Sequence, residues 1–309
     1  MTRDIQHVGV VGAGMMGTQI ALLVAKHGYP VSVFARNPDR FHLHRRNFFK
    51  SLKKAMKTGS RSFRSWEKGL KRIKLFSELE AALQETDLVI EALPENLELK
   101  REIFARLDAV APPGAILSST SSSIPISKIE GVTKRPEYCL NLHFYQPAAA
   151  INMVDLMGGS QTLPRVFQAA ERFIQSVGCI PLIVKKEILG FCFGGLLRAI
   201  YRHVLSMWAG GFVDFRDIDR AWMLFTKMPR GPFGIIDAVG LDVVYDTAMI
   251  YYNESKDPKE HPPQAMLDMI RRNQLGVKTG KGFYTYPGPE YGNQNFLSRK
   301  SAGKRVKIR

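Results

Sequence analysis

A short run of glycines constrains this chain more than any other stretch. The apolar β-type run Val8–Val11 leads directly into Gly12-Ala13-Gly14-Met15-Met16-Gly17, and a helical stretch over 18–27 follows. Strand, tight turn and helix are the setting in which GxGxxG binds a dinucleotide. The first glycine makes the turn, the second lets backbone approach a pyrophosphate at the helix N-terminus, and the third lets helix and strand pack closely. A second β-type run, 31–34, lies at the right distance. Gly12, Gly14, Met15, Met16 and Gly17 are therefore candidate dinucleotide ligands.

The pattern beyond this turn alternates. A long basic helical insertion spans about 38–69, then a strand at 73–75, a helix at 77–84 and a strand at 87–91 are expected. A helix over 96–110, a strand at 115–117 and a serine-rich loop at 118–123 follow. Strands near 138–143 and 152–157, a helix at 164–177 and a strand at 180–184 close this half. Such alternation predicts an α/β fold, a Rossmann-like doubly wound parallel sheet. From Gly190 apolar helical patterns take over, at 191–208, 215–225, 232–239, 242–252 and 264–273, so an all-α C-terminal domain is expected. The boundary is placed at 185–186, giving domains 1–185 and 186–309. The stretch after Pro287 is expected to fray.

The 309 residues suffice for two cores. No apolar run of about 18 residues occurs, so no membrane span is expected. The first strand begins by about residue 6, so no targeting peptide is expected. Cys139, Cys179 and Cys192 form no metal pattern and read as buried thiols in a reducing cytoplasm. The net charge of +16 is concentrated: 45–74 holds twelve Lys/Arg against Glu67, and 299–309 holds six and no acid. Such segments suit nucleic acid, a membrane surface, a phosphorylated small molecule, or plain solvation.

Cofactor choice turns on the end of the second strand, where an acid bonds the adenosine ribose and selects NAD. Here Ala35-Arg36-Asn37 stand instead. No carboxylate repels a 2′-phosphate, and a guanidinium is available to hold one bidentately. NADP(H) is the expected cofactor and NAD(H) the alternative.

Six stretches in order then resemble one family: GAGMMG at 12–17, DLVIEALPENLELKREIF at 87–104, STSSSIPI at 119–126, NLHFYQP at 141–147, GPFGIIDAVGLD at 231–242 and GVKTGKGFYTY at 276–286. The chain resembles the L-3-hydroxyacyl-CoA dehydrogenases, 3-hydroxybutyryl-CoA dehydrogenases included, from residue 5 to about 287. The resemblance implies hydride exchange between a nicotinamide cofactor and a 3-hydroxyacyl-CoA/3-ketoacyl-CoA pair in fatty acid metabolism, and a homodimer built by the helical domain. His143 matches the catalytic histidine, whose free pKa near 6.5 suits proton exchange. Asp155, twelve residues on, stands where the family carries a glutamate. Ser122 matches a serine that reaches the substrate oxygen, and Glu95 and Lys100 match residues near the cofactor.

The departures carry information too. The family's Asn-Arg pair after PGF has become Gly194-Gly195, which removes a polar contact and opens room for a different acyl group. Arg230 replaces an apolar residue and could meet a substrate carboxylate or phosphate. The resemblance assigns the basic insertion to CoA rather than nucleic acid, with Lys53, Lys54, Lys57 and Arg61 as contacts. Two other functions stay open: a dehydrogenase of a free hydroxy acid, and a dinucleotide-binding protein with little catalysis.

Overall fold

A computed structural model describes residues 4–56 and 60–298, and of Arg61 the backbone only. The chain divides into two compact units, Met1–Cys192 and Phe193–Arg309.

The first unit is built on eight strands among the described residues: β1 (Val8–Val11), β2 (Val31–Phe34), β3 (Ile73–Phe76), β4 (Leu88–Glu91), β5 (Ile116–Ser119), β6 (Cys139–Phe144), β7 (Met153–Gly158) and β8 (Ile180–Val184). Their order is β3-β2-β1-β4-β5-β6-β7-β8. Strands β1, β2, β4 and β5 are buried along their whole length, which explains their continuous apolar runs. Helices cover both faces. On one side α1 (Met15–Lys26), α2 (Pro38–Ala55), α3 (Arg61–Leu70) and α6 (Pro164–Ser176) close a core through Ile20, Leu22, Trp66 and Phe173. On the other, α4 (Leu79–Leu83) and α5 (Leu97–Val110) bury Leu83, Phe104 and Leu107.

The structure amends the expected parallel sheet at one place. Strand β7 runs antiparallel to β6, with His143 paired to Asp155, and the sheet returns to parallel at β7–β8. The basic helical insertion is the two helices α2 and α3. Phe48 and Trp66 pack with ring centroids 5.0 Å apart and Phe49 meets Phe63 at 6.0 Å, so the aromatics close the hairpin. Ser118 and Ser119, expected in a loop, continue β5. Their hydroxyls are satisfied by Val89 O at 2.8 Å and Glu91 Oε2 at 2.6 Å, so burial costs them little.

The second unit contains α7 (Phe193–Ala209), α8 (Phe215–Thr226), α9 (Pro232–Val239), α10 (Leu241–Ser255) and α11 (Gln264–Arg271). Its core gathers Leu205, Met223, Phe233, Ile236, Met266 and Phe283. Two buried carboxylates tie its loops together. Asp219 accepts from the Phe233 and Gly234 amides, and Asp237 from those of Phe283 and Tyr284. Fraying does not begin at Pro287 as expected. Phe296 is buried in this core, and its carbonyl accepts from Arg220 Nε at 2.7 Å. Among the described residues no helix is long and apolar enough to cross a membrane.

Candidate active site

The sheet reverses its winding between β1 and β4, and the glycine turn lies at the carboxyl end of β1, where such folds bind ligands. Gly12 has φ +119°, and a Cβ there would come within 2.7 Å of the Ala92 carbonyl oxygen. A Cβ at Gly17 would sit 2.0 Å from the Gly12 carbonyl oxygen. Gly14 differs: a Cβ would meet nothing within 4 Å, so its backbone is open to the space before α1. No acid stands in the first turn of α1, which leaves its N-terminal amides free to face an anion.

This turn forms one wall of a cleft of about 600 Å3, lined by Gly12, Gly14, Met15, Met16, Arg36, Asn37 and Arg40 among others. No acid lines it. Asn37 caps α2 by accepting from the Asp39 amide at 2.9 Å, and the helix start carries Arg40 back to the side of Arg36. The cradle fits a dinucleotide pyrophosphate, and the two guanidiniums fit a further phosphate.

A second pocket, about 260 Å3, shares Met16, Ala92 and Leu93 as lining residues with the cleft, so the two adjoin. His143, Ser122, Glu95 and Lys100 line it. His143 is the second-last residue of β6, and Asp155 is its direct partner on β7. Direct antiparallel partners face the same side of a sheet with Cβ atoms about 4.5–5.5 Å apart. A short aspartate therefore reaches the imidazole, Nδ1 to Oδ2 at 3.1 Å. Ionised, Asp155 only accepts, so Nδ1 carries the hydrogen and Nε2 is left for chemistry. The ring is held on both sides. Phe191 stacks on it at 5.0 Å and 16°, and Tyr145 packs edge-on at 4.5 Å. Phe191 itself sits at φ +55°, a strained backbone state for an aromatic residue.

Opposite this pair lies a buried ionic cluster. Lys100 Nζ donates to both Glu91 oxygens at 2.9 Å and lies 3.6 Å from Glu95 Oε2. Glu91 is wholly buried and also accepts from the Leu93 amide and Ser119 Oγ. Glu95 accepts from Ser121 Oγ, the Ser123 amide and Ser123 Oγ. Burial pushes the Glu95 carboxyl up, but the Lys100 ammonium and the two serines outweigh it and hold it below the usual carboxylate range. Lys100 thus holds two carboxylates rather than projecting freely into the pocket. Ser122 is exposed and makes no hydrogen bond among the described residues.

The remaining sequence-predicted residues are not among those that line these two pockets. Lys53 joins Arg45, Arg46 and Lys50 along a groove of about 520 Å3 between α2 and α3, whereas Lys54 is exposed outside it. Lys57 and the tail 299–309 lie outside the described residues, as does the side chain of Arg61. Gly194 is in the second unit, where it lines a cavity of about 650 Å3 with Arg198 and Tyr201. Arg230 is exposed just before α9. Sequence reasoning missed Arg40, Glu91, Tyr145 and Phe191. Two signals were available: an acid ending an otherwise apolar strand needs a buried cation, and residue 145 shares a face with residue 143 by strand alternation.

A glycine-turn cleft beside a pocket lined by a carboxylate-bound histidine suits a nicotinamide dinucleotide-dependent oxidoreductase. Residues 7–188 match the 3-hydroxyacyl-CoA dehydrogenase NAD binding domain, and residues 190–286 match the 3-hydroxyacyl-CoA dehydrogenase C-terminal domain. The chain belongs to this family. It is 36% identical to a 3-hydroxybutyryl-CoA dehydrogenase of Mycobacterium tuberculosis, over 93% of this chain and 100% of that one. The crystal structure of M. tuberculosis FadB2 superposes with a TM-score of 0.85 at 36% identity, covering 92% of this chain and 100% of that one. A diketoreductase that acts on dicarbonyl compounds superposes at 0.81 with 32% identity, covering 92% and 100%.

Proposed function

We propose that this protein is an NADP(H)-dependent 3-hydroxyacyl-CoA dehydrogenase. The carrying observation is the His143–Asp155 pair, with His143 lining a pocket that adjoins the dinucleotide cleft. The family and the M. tuberculosis 3-hydroxybutyryl-CoA dehydrogenase supply the substrate class.

Gly12, Gly14, Met15, Met16 and Gly17 hold the pyrophosphate region, and Arg36, Asn37 and Arg40 meet the adenosine ribose and its phosphate. The bound cofactor supplies or accepts the hydride. In the reducing direction, protonated His143 gives its Nε2 proton to the oxygen on substrate carbon 3, and in the oxidising direction it takes that proton back. Asp155 keeps the Nδ1–H in place and stabilises the charged ring. Ser122 donates to the same substrate oxygen. Glu95 and Lys100 fix the floor of the pocket on the cofactor side. Lys53, with Lys50, Arg45 and Arg46, attracts the CoA phosphates. Gly194 and Arg230 accommodate the acyl end. A homodimer is proposed from the bare aromatics of the second unit, Phe212 at 80% and Phe225 at 91% exposure. The three free cysteines suit a reducing cytoplasm, although only Cys139 and Cys179 are buried as expected and Cys192 is exposed.

A second reading replaces the CoA ester with a free keto acid or dicarbonyl compound, favoured by the likeness to the diketoreductase. Loss of reduced-cofactor absorbance with acetoacetyl-CoA, compared between NADPH and NADH and between the wild type and His143→Ala, tests the proposal. NADPH consumption that disappears in His143→Ala is expected. Turnover with a free diketo acid and none with the CoA ester would favour the second reading, and a strong preference for NADH would overturn the cofactor choice.

A further inference from the structure

Asp155 has no solvent exposure, and two side chains share one of its oxygens. Oδ2 accepts from His143 Nδ1 at 3.1 Å and from Tyr145 Oη at 2.5 Å. Oδ1 is buried with no hydrogen-bond partner among the described residues. The whole support of this anion is thus gathered at one atom, from a ring nitrogen on one side and a phenol on the other. Strand geometry explains the arrangement. His143 and Tyr145 are two residues apart and share a face, Asp155 lies directly opposite the first, and a diagonal neighbour is within reach of an aromatic side chain.

We propose that Tyr145 is a positioning residue for the proton-transferring pair, and that its hydroxyl makes the short Asp155 carboxylate competent to orient His143. This rests on the reading of His143 as proton donor given above. The physical reason is twofold. A buried carboxylate costs free energy unless donors compensate it, and without Tyr145 only the imidazole would remain. The phenol also stops rotation of the carboxylate, because turning Oδ2 away from His143 would break both bonds at once. Without that lock the carboxylate turns, and that change releases the Nδ1–H tautomer. His143 would then no longer present a bare Nε2 to the pocket when neutral. Tyr145 also touches the imidazole edge-on while Phe191 covers the other face, so one residue fixes both ring and counter-charge.

The test is a double-substitution cycle on the full-length protein, with histidine-ring nitrogen NMR as a readout separate from turnover. Tyr145→Phe is expected to lower kcat about tenfold to a hundredfold, with little change in KM and a rise in the Nε2–H tautomer of His143. Asp155→Glu alone brings a longer acid against the phenol and is also expected to lose activity. The double variant Tyr145→Phe/Asp155→Glu gives the longer acid the vacated space, so kcat should return to within about threefold of wild type, far from the product of the two losses. Losses that multiply, or an unchanged His143 tautomer in Tyr145→Phe, would overturn the inference. His143→Ala is assayed alongside. If it keeps its turnover, the proton-donor reading fails, whereas inactive His143→Ala with multiplying losses removes only the role of Tyr145. If Tyr145→Phe does not fold, a ring-fluorinated tyrosine at 145, a stronger donor, must move the His143 ring shifts the opposite way, and unmoved shifts count against the inference.

Discussion

His143 and Asp155 occupy the same register position on β6 and β7, and this places imidazole Nδ1 3.1 Å from carboxylate Oδ2. A chain separation of twelve residues becomes a direct antiparallel pair. Asp155→Asn preserves shape but loses the charge and presents an amide that can donate, which favours the wrong tautomer. Steady-state turnover of Asp155→Asn is expected to fall about 10²–10⁴-fold in kcat, with dinucleotide affinity unchanged in a fluorescence titration.

Arg36 and Arg40 face the cleft with no acid among its lining residues. Arg36→Asp should weaken NADPH by tenfold or more and improve NADH, because a carboxylate repels a 2′-phosphate and accepts from a ribose hydroxyl. Arg40→Ala should raise KM for NADPH alone. KM values for both cofactors in each variant check the pair, and equal effects on the two would remove the phosphate assignment.

The Lys100–Glu91 pair is 1% and 0% exposed. Lys100→Met leaves a buried carboxylate supported only by Ser119 and the Leu93 amide, and should cost about 3–5 kcal/mol in denaturant unfolding. Glu91→Gln in the same chain should recover much of that loss. A single variant as stable as wild type would show that the ammonium is dispensable.

Asp219 responds to pH in the opposite sense to a salt-bridged acid. Burial raises its carboxyl to about 6, with the Phe233 and Gly234 amides and the Tyr284 hydroxyl pulling down and nearby Asp237 adding to the rise. A raised folded-state value means the native protein binds this proton more tightly than the unfolded chain. The stabilisation is complete below about pH 4 and is lost as pH rises through about 6. The loss is on the order of 3 kcal/mol. Denaturant unfolding of Asp219→Asn across pH 4–7 should lack this component, so its stability relative to wild type should improve with rising pH. Parallel pH profiles for the two would contradict it.

Much of the fold was legible because periodicity and glycine chemistry are local. Gly12 and Gly17 announce a backbone that no side chain could share, the buried strands read as continuous apolar runs, and α9 falls on the expected 232–239. His143 could be singled out only through the resemblance of NLHFYQP to a family motif, because a histidine ending an apolar strand is by itself more often structural. The reversal of β7 had a signal that the parallel reading overlooked: only residues 145–152 join β6 to β7, too few for the crossover that a parallel pair needs. The uses of Lys100 and Tyr145 were not legible. A lysine in α5 and an aromatic after β6 look ordinary until packing removes water around Glu91 and Asp155. The sequence by itself determined where a glycine turn leaves room for a dinucleotide and marked His143 as the candidate for proton exchange. Only the tertiary structure decided which buried charges must be neutralised, and by whom, because desolvation is a property of the assembled core and not of any segment of chain.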